Sequence, residues 1–209
     1  MKGPPRLHKH TATWVGIDPG FSGAIGILDQ TGAYVACYDL PTTAGEGRSR
    51  EFDVEKLALI VQAISQSYPD PRVCLEWPQT RPDEAPEASK RFGVGLGLLE
   101  GMFTLAGMRP TRVAPNAWKG RLGLMGKEGQ ATESREQAVR YAEQVIGRLP
   151  RGLLRGPRGG AKDGRAEALL IAWEAATRTR AGLLAQSEDV RMARLLFGAG
   201  RRRRRPPVL

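Results

Sequence analysis

The sequence has little of what disulfide-linked or thiolate-ligated proteins need. Its 209 residues include two cysteines and two histidines. Cys37 and Cys74 both lie within short apolar runs, so we interpret them as small core residues in a reducing cytoplasm and not as a disulfide or a metal-binding pair. His8 and His10 lie in a charged, proline-containing stretch near the N-terminus, where no metal-binding role is expected.

Long hydrophobic runs are also missing. No apolar stretch approaches the roughly 18 residues of a membrane-spanning helix, so we expect no transmembrane segment. Residues 1–10 are charged and are not followed by an apolar segment, which argues against a secretory signal. The expected location is the cytoplasm.

Positive charge is abundant instead. Lysine and arginine number 32 against 22 acidic residues, for a formal net charge of +10. This excess favours a polyanionic partner, although a basic protein without such a partner and a binder of membrane surfaces both remain open. Residues 201–205 are all arginine, and this run predicts a flexible tail that contacts a polyanion without specificity.

Short apolar runs and turn signals predict an α/β domain. Strands are expected at residues 13–17, 24–28, 33–38, 72–76 and 111–114, and helices at residues 53–67, 89–106, 132–146 and 163–178. This order is that of an RNase H-like fold, a mixed five-stranded sheet flanked by helices. The domain is expected at residues 13–180, with a flexible basic arm at residues 1–12 and a C-terminal helix and arginine-rich tail at residues 181–209.

Four acidic residues lie at the ends of two predicted strands and at the start of the last predicted helix. Asp18 and Glu76 end strands that would be neighbours in such a sheet, about 5 Å apart. Asp163 and Glu167 share one face at the start of the last helix, because they are four residues apart. Clustered carboxylates raise one another's pKa unless a cation lies among them. Oxygen ligands without thiolates favour Mg²⁺ or Mn²⁺, and a basic protein that holds such ions suggests chemistry on phosphodiesters.

Each of these residues also has an ordinary structural interpretation. Asp18 precedes Pro-Gly and is suited to a turn, Asp163 is suited to a helix N-cap, and Glu76 and Glu167 would otherwise be solvated charges. Glu174 lies on the same helical stripe but two turns further on, so we expect it to lie too far away to join the group.

Five stretches of the chain occur in a characteristic order across about residues 13–178. They are Gly16-Ile17-Asp18-Pro19-Gly20 with Ser22-Gly23-Ala24-Ile25; Leu75-Glu76-Trp77-Pro78-Gln79; Arg91-Phe92-Gly93 with Gly97; Ala114-Pro115-Asn116-Ala117-Trp118-Lys119; and residues 162–172, KDGRAEALLIA. Together they resemble the RuvC-type Holliday junction resolvases, particularly the phage-borne RuvC-like branch. The first stretch alone also resembles sugar kinases and actin-like ATPases.

The resemblance implies a homodimeric crossover junction endodeoxyribonuclease that makes paired nicks in branched DNA with two Mg²⁺ or Mn²⁺ ions per site. It implies that Asp18 is the central metal ligand, Glu76 the second, and Glu167 the carboxylate of the last helix. Asp163 carries over as the fourth ligand, at a position that varies in the family between Asp and His and in spacing. Gly164 stands where some bacterial members place that fourth ligand. If the chain is phage-encoded, its cytoplasm is that of a bacterial host.

The resemblance also implies residues that contact DNA. Lys119 and Lys127 match basic positions near the scissile phosphate, and each is equally well read as a surface lysine. A basic stretch that runs into the last helix is expected to bind phosphates; its members are Arg151, Arg155, Arg158, Lys162 and Arg165. The aromatic residue on which the family stacks a base is replaced by Gln79, so Trp77 either takes over that stacking or packs at the strand end.

Paired nicks require two active sites, and a symmetric dimer supplies them. Gly93, Gly97 and Gly101 form one face of the second predicted helix. This face is either the dimer interface or a surface that packs against the domain's own sheet. Three other functions remain open: another RNase H-fold nuclease acting on forks, flaps or RNA–DNA hybrids, a catalytically silent DNA-binding protein, and a phosphotransferase.

Overall fold

The computed structural model describes residues 12–45, 50–78, 85–125 and 131–179, without the side chains of residues 131 and 132. Residues 1–176 form one compact unit and residues 177–209 a second, of which only residues 177–179 are described. Several predictions lie outside the described residues: the arm before residue 12, the C-terminal helix and tail, Gln79 and Lys127. No helix among the described residues is long and apolar enough to span a membrane.

The chain forms seven strands and five helices in the described ranges. The strands are β1 (Thr13–Asp18), β2 (Ala24–Leu28), β3 (Tyr34–Asp39), β4 (Thr42–Ala44), β5 (Arg50–Phe52), β6 (Pro71–Glu76) and β7 (Thr111–Val113). The helices are α1 (Val54–Ser67), α2 (Pro86–Leu105), α3 (Pro115–Arg121), α4 (Ala131–Val145) and α5 (residues 163–179).

Five of the strands form the predicted mixed sheet, in the order β3-β2-β1-β6-β7. β1, β2 and β3 pair antiparallel, whereas β6 runs parallel to β1 and to β7. The parallel pairing places the C-terminal ends of β1 and β6 at the same edge of the sheet, with Ile17 opposite Leu75. The predicted fold class is therefore confirmed.

The two faces of the sheet bury separate apolar clusters. One cluster joins the sheet to α1 and α2 through residues such as Ile17, Leu57 and Phe103. The other joins it to α3, α4 and α5 through residues such as Trp118 and Leu169. Central strands covered on both sides must be apolar throughout, which explains the unbroken hydrophobic runs of β1 and β2.

Helix α5 approaches the sheet closely at two glycines. Gly16 and Gly26 lie opposite each other in β1 and β2. A Cβ atom at Gly16 would lie 2.1 Å from the carbonyl oxygen of Ala168, and one at Gly26 would lie 2.6 Å from the backbone nitrogen of Leu169. Because neither position has room for a side chain, the backbone of α5 rests directly on β1 and β2. This contact brings the first turns of α5 to the end of β1.

A small hairpin differs from the sequence-based expectation. Residues 41–51 are predicted as a polar loop, but β4 and β5 pair antiparallel there, with Thr42 opposite Phe52. Strands of three residues are too short to show an alternating pattern. Phe52 of this hairpin packs against Phe21, with 5.0 Å between the centres of the two rings.

Candidate active site

Three of the predicted carboxylates meet at the C-terminal edge of β1 and β6. Asp18 ends β1 and Glu76 ends β6, while α5 carries Glu167 to the same place. One oxygen atom from each of the three lies within 4.8 Å of the others. An all-oxygen group of this size suits a hard divalent cation such as Mg²⁺ or Mn²⁺.

The turn after β1 fixes the position of Asp18. The backbone N–H of Gly20 donates to Asp18 Oδ1 at 3.3 Å, and the backbone N–H of Gly23 donates to the carbonyl oxygen of Gly20 at 2.7 Å. A Cβ atom at Gly23 would lie 2.1 Å from the carbonyl oxygen of Asp18. The Pro-Gly and Ser-Gly pairs of the first motif therefore form a tight turn, which holds the Asp18 carboxylate near Glu76 and Glu167.

The pKa values of two of these carboxylates, Asp18 and Glu76, are raised at this site. Loss of hydration, followed by the charges of Glu167 and Glu76, raises the pKa of Asp18 to about 8. Burial also raises the pKa of Glu76, although a hydrogen bond from Trp118 acts in the opposite direction. A carboxylate group that is hard to ionise alone is stabilised by a bound cation.

A lysine side chain of helix α3 brings a positive charge to this site. Lys119 Nζ lies 2.8 Å from Glu167 Oε1. Burial lowers the pKa of Lys119, but the charges of Glu167, Glu76 and Asp18 outweigh it and the net pKa is raised. The ammonium group therefore stays charged at neutral pH, and it lies among the carboxylates.

Trp118 holds the other carboxylate that α3 reaches. Its indole Nε1 donates to Glu76 Oε1 at 2.8 Å, and the Trp118 side chain is fully buried. Sequence reasoning included Trp118 in a motif but gave it no role. One signal in the sequence could have indicated a role for it. Trp118 offers an indole donor and comes immediately before Lys119, which the same motif places near the scissile phosphate.

The sequence matches no model of a known protein family and no curated protein. The structure is similar to Thermus thermophilus RuvC in complex with Holliday junction substrate, at 18% identity and a TM-score of 0.56, over 81% of this chain and 96% of that one. The fold is RuvC-like. A second similar structure, T. thermophilus RuvC, is 17% identical with a TM-score of 0.42.

Within this RuvC-like fold, Asp163 is paired with an arginine of α4. It is not among the described residues that form the group of ligand atoms, and Arg135 Nε of α4 lies 3.1 Å from its Oδ2. Its predicted role as a fourth ligand stays a prediction.

The neighbouring Gly164 is required by the backbone. A Cβ atom there would lie 2.2 Å from the carbonyl oxygen of Ser22 and 3.1 Å from Asp18 Oδ2. No side chain fits at this point of the RuvC-like framework, so a ligand at position 164 would require the β1–β2 turn to move.

A cleft of about 760 Å³ opens beside this turn. The start of α5 and the loop before it form one wall, which includes Arg158, Lys162 and Arg165. The other wall includes Leu40 and Arg50. Sequence reasoning missed Arg50, because its place on the hairpin is visible only after the chain folds.

Two of the five arginines and lysines predicted in the basic stretch stabilise the protein itself. Arg165 binds both carboxylate oxygens of Asp39, at 2.6 and 2.7 Å, and donates to the carbonyl oxygen of Leu153 at 2.9 Å. Arg155 lies 2.7 Å from Glu136 and 3.5 Å from Glu143. The side chains of Arg151, Arg158 and Lys162 are exposed.

Trp77 is packed at the strand end. It lies partly buried against the cluster under α1 and α2, and the Arg112 guanidinium lies 3.8 Å from the centre of its ring. Arg112 is held in turn by Glu100 at 2.6 Å. A base could stack on this face of Trp77 only after Arg112 moves away.

The glycine face of α2 does not pack against the domain's own sheet. Among the residues that the structure describes, nothing lies within 4 Å of a Cβ atom built at Gly93, Gly97 or Gly101. By contrast, Gly95 faces inward, where a Cβ atom would lie 2.7 Å from the Phe52 ring. The interpretation of internal packing is therefore wrong for the three predicted glycines.

Proposed function

We propose that this protein is a divalent-metal-dependent endonuclease that cuts branched DNA, with four-way junctions as its preferred substrate. The convergence of Asp18, Glu76 and Glu167 within 4.8 Å carries the proposal. A RuvC-like fold and a net charge of +10 support it. The similar T. thermophilus RuvC was solved with a Holliday junction substrate, which motivates the choice of substrate.

The donor set fits Mg²⁺ or Mn²⁺, because it consists of crowded carboxylate oxygens, and the pKa values of Asp18 and Glu76 are raised. Two such ions, when bound, would lower the pKa of an attacking water and stabilise the leaving oxygen of the phosphodiester. Asp18, Glu76 and Glu167 would hold these ions, with Asp163 as the proposed fourth ligand.

The protein's own residues would bind and orient the DNA strand. Among the residues that the structure describes, Arg158 and Lys162 form no ion pair, and Arg50 donates one side-chain hydrogen bond, to Thr42 Oγ1 at 2.6 Å. All three line the cleft beside the Asp18 turn. We therefore propose that this cleft takes the sugar-phosphate backbone next to the scissile bond. Such contacts give affinity that falls with salt and carries no base specificity.

A symmetric dimer would place a second site on the opposite strand. The α2 glycine face is our proposed interface, supported by its lack of packing and by two exposed apolar neighbours, Val94 at 66% and Leu105 at 91%. Gly97→Leu should give monomers by light scattering, because close helix approach needs small residues. An Ala63→Leu variant, at an exposed position of α1 away from this face, is the control. A soluble dimer of Gly97→Leu contradicts this placement.

The first test is cleavage of labelled four-way junction, fork, linear duplex and RNA–DNA hybrid with Mg²⁺ or Mn²⁺. Wild type should make paired, symmetric nicks in the junction. Asp18→Asn should not cut, although it should bind DNA equally well or more tightly, since one negative charge near the phosphate is gone. Asp70→Asn, the same substitution at an exposed turn, is the control.

Other results would change the proposal. Equal cutting of every branched form would indicate a broader debranching nuclease, and cutting of the hybrid alone would indicate an RNase H-type enzyme. Binding without cutting in either metal would indicate a silent DNA-binding protein. Cutting by Asp18→Asn would refute the assignment of the site.

A further inference from the structure

Helix α3 connects three acidic side chains that lie on two different elements. Glu76 belongs to β6, and the other two belong to α5. The three contacts are Trp118 Nε1 to Glu76 Oε1 at 2.8 Å, Lys119 Nζ to Glu167 Oε1 at 2.8 Å, and Arg121 Nε to Glu174 Oε1 at 2.5 Å. This seven-residue helix therefore bridges the strand and the helix that carry the proposed metal ligands.

The contact with Glu76 is the most enclosed of the three. Trp118 is 0% exposed and Glu76 is 7% exposed. Burial of a carboxylate is costly unless a donor compensates for its lost hydration. The indole offers one N–H and no acceptor, so it can only donate to this oxygen. Glu76 also offers one oxygen atom to the group of possible metal ligands.

The surroundings of Trp118 keep its ring in place. It packs in the cluster that joins the sheet to α4 and α5, together with Leu124 and Leu169. The end of α3 is held by Arg121 and the buried Glu174. Because packing holds the ring in place, its N–H group points in one direction. The carboxylate that accepts this hydrogen bond is oriented by it.

We propose that Trp118 is a positioning residue that holds the Glu76 carboxylate in the orientation needed to bind a divalent cation. The inference rests on the proposed metal-dependent function. Partners that orient metal ligands typically change metal affinity or activity by about 10–100-fold when they are removed. The same effect is expected here, through Glu76 and without any contact between Trp118 and the ion.

Trp118 also fills space, so its packing must be separated from its hydrogen bond. Trp14→Phe is the matched control for Trp118→Phe. Both tryptophans belong to the same core cluster, both variants lose the same atoms, and Trp14 lies near the start of β1, at the opposite end from Asp18. Both variants should lower the midpoint of thermal unfolding through lost packing.

The test measures Mn²⁺ binding to the full-length protein without DNA, by isothermal titration calorimetry. Trp118→Phe should bind Mn²⁺ about 10–100-fold more weakly than wild type, whereas Trp14→Phe should bind with wild-type affinity. In ¹⁵N-labelled wild type, the Trp118 indole N–H resonance, assigned by its loss in Trp118→Phe, should shift on addition of Mg²⁺. The Trp14 resonance should not.

The outcomes separate this inference from the proposed function. Wild type that binds no divalent ion would refute the metal-dependent function itself. Wild type that binds Mn²⁺, with equal affinity in Trp118→Phe, would overturn only the role of Trp118. If Trp118→Phe does not fold, 3-benzothienylalanine at position 118 keeps the ring shape and replaces the N–H by sulfur. Unchanged Mn²⁺ affinity in that protein would equally overturn the inference.

Discussion

The carboxylate group and the basic loop before α5 differ in how their charges are paired. In the group, three carboxylates lie within 4.8 Å of one another, and the one cation described beside them is Lys119. In the loop and the start of α5, Arg155 and Arg165 are each bound by acidic residues from other elements. These two arginines of the basic stretch are thus paired within the protein itself, whereas the group retains an excess of negative charge.

This difference separates charges that build the fold from charges that bind something else. A paired arginine on a partly exposed surface contributes modest stability. Crowded carboxylates lower stability, and a protein keeps them where function requires a cation. A count of charges along the chain does not distinguish the two cases, because the partners of Arg155 and Arg165 come from distant elements.

The largest effect that tests this comparison is the pH dependence of stability without metal. The pKa of Asp18 is about 8 in the folded protein and ordinarily 3.8, so the folded state holds a proton that the unfolded state releases. Its contribution to stability is therefore complete below pH 4 and is lost as the pH rises to 8 and beyond. Glu76 acts with the same sign.

Urea unfolding in EDTA at pH 6 and pH 9 measures this effect. We expect wild type to be less stable at pH 9, and Mg²⁺ to restore more stability at pH 9 than at pH 6. Asp18→Asn should show a weaker dependence on pH, since its amide does not ionise. Equal stability of metal-free wild type at both pH values would show that the group is not strained by its own charge.

A smaller effect is expected when the internal cation is removed. Lys119→Met keeps the apolar stem but leaves the three carboxylates without the ammonium group. Metal-free protein should lose stability at neutral pH, and Mn²⁺ should bind more tightly, on the order of tenfold or 1.4 kcal/mol, because it no longer competes with a positive charge. Calorimetric titration of the variant checks this.

Lys56→Met is the control for the lysine substitution, because Lys56 is an exposed lysine paired with Asp53. It should change neither the Mn²⁺ affinity nor its pH dependence. Weaker Mn²⁺ binding by Lys119→Met would mean that Lys119 supports the metal site and does not compete with it.

The smallest effects concern the two classes of arginine around the cleft. Arg50→Ala should weaken junction binding and reduce the slope of log K against log salt by about 0.9, as expected for one lost phosphate contact. Arg165→Ala should instead lower the free energy of unfolding by about 1 kcal/mol, since it breaks the pairing with Asp39. Salt-dependent binding and urea unfolding of both variants test this assignment. It is wrong if Arg165→Ala reduces the salt slope and Arg50→Ala lowers the free energy of unfolding.

Much of the fold was predictable because the signals are local. The five strands of the main sheet follow apolar runs bounded by turns, and Asp53 caps α1 by accepting from the Lys56 N–H at 3.1 Å. The hairpin of β4 and β5 was missed, because three-residue strands carry no periodic signal. The convergence of Asp18, Glu76 and Glu167 was predictable from the resemblance and from their positions at the ends of elements.

The sequence by itself determined the strands of the main sheet, the longer helices, the excess of positive charge, and the acidic residues at the ends of β1 and β6 and the start of α5. These depend on near neighbours and on the alternation of apolar and polar residues. Only the tertiary structure decided that Lys119 lies among the carboxylates, that Trp118 binds Glu76, and that Arg165 is held by Asp39. The last two contacts join residues 42 and 126 positions apart. They depend on how α3 and α5 pack on the sheet, and no local pattern encodes that packing.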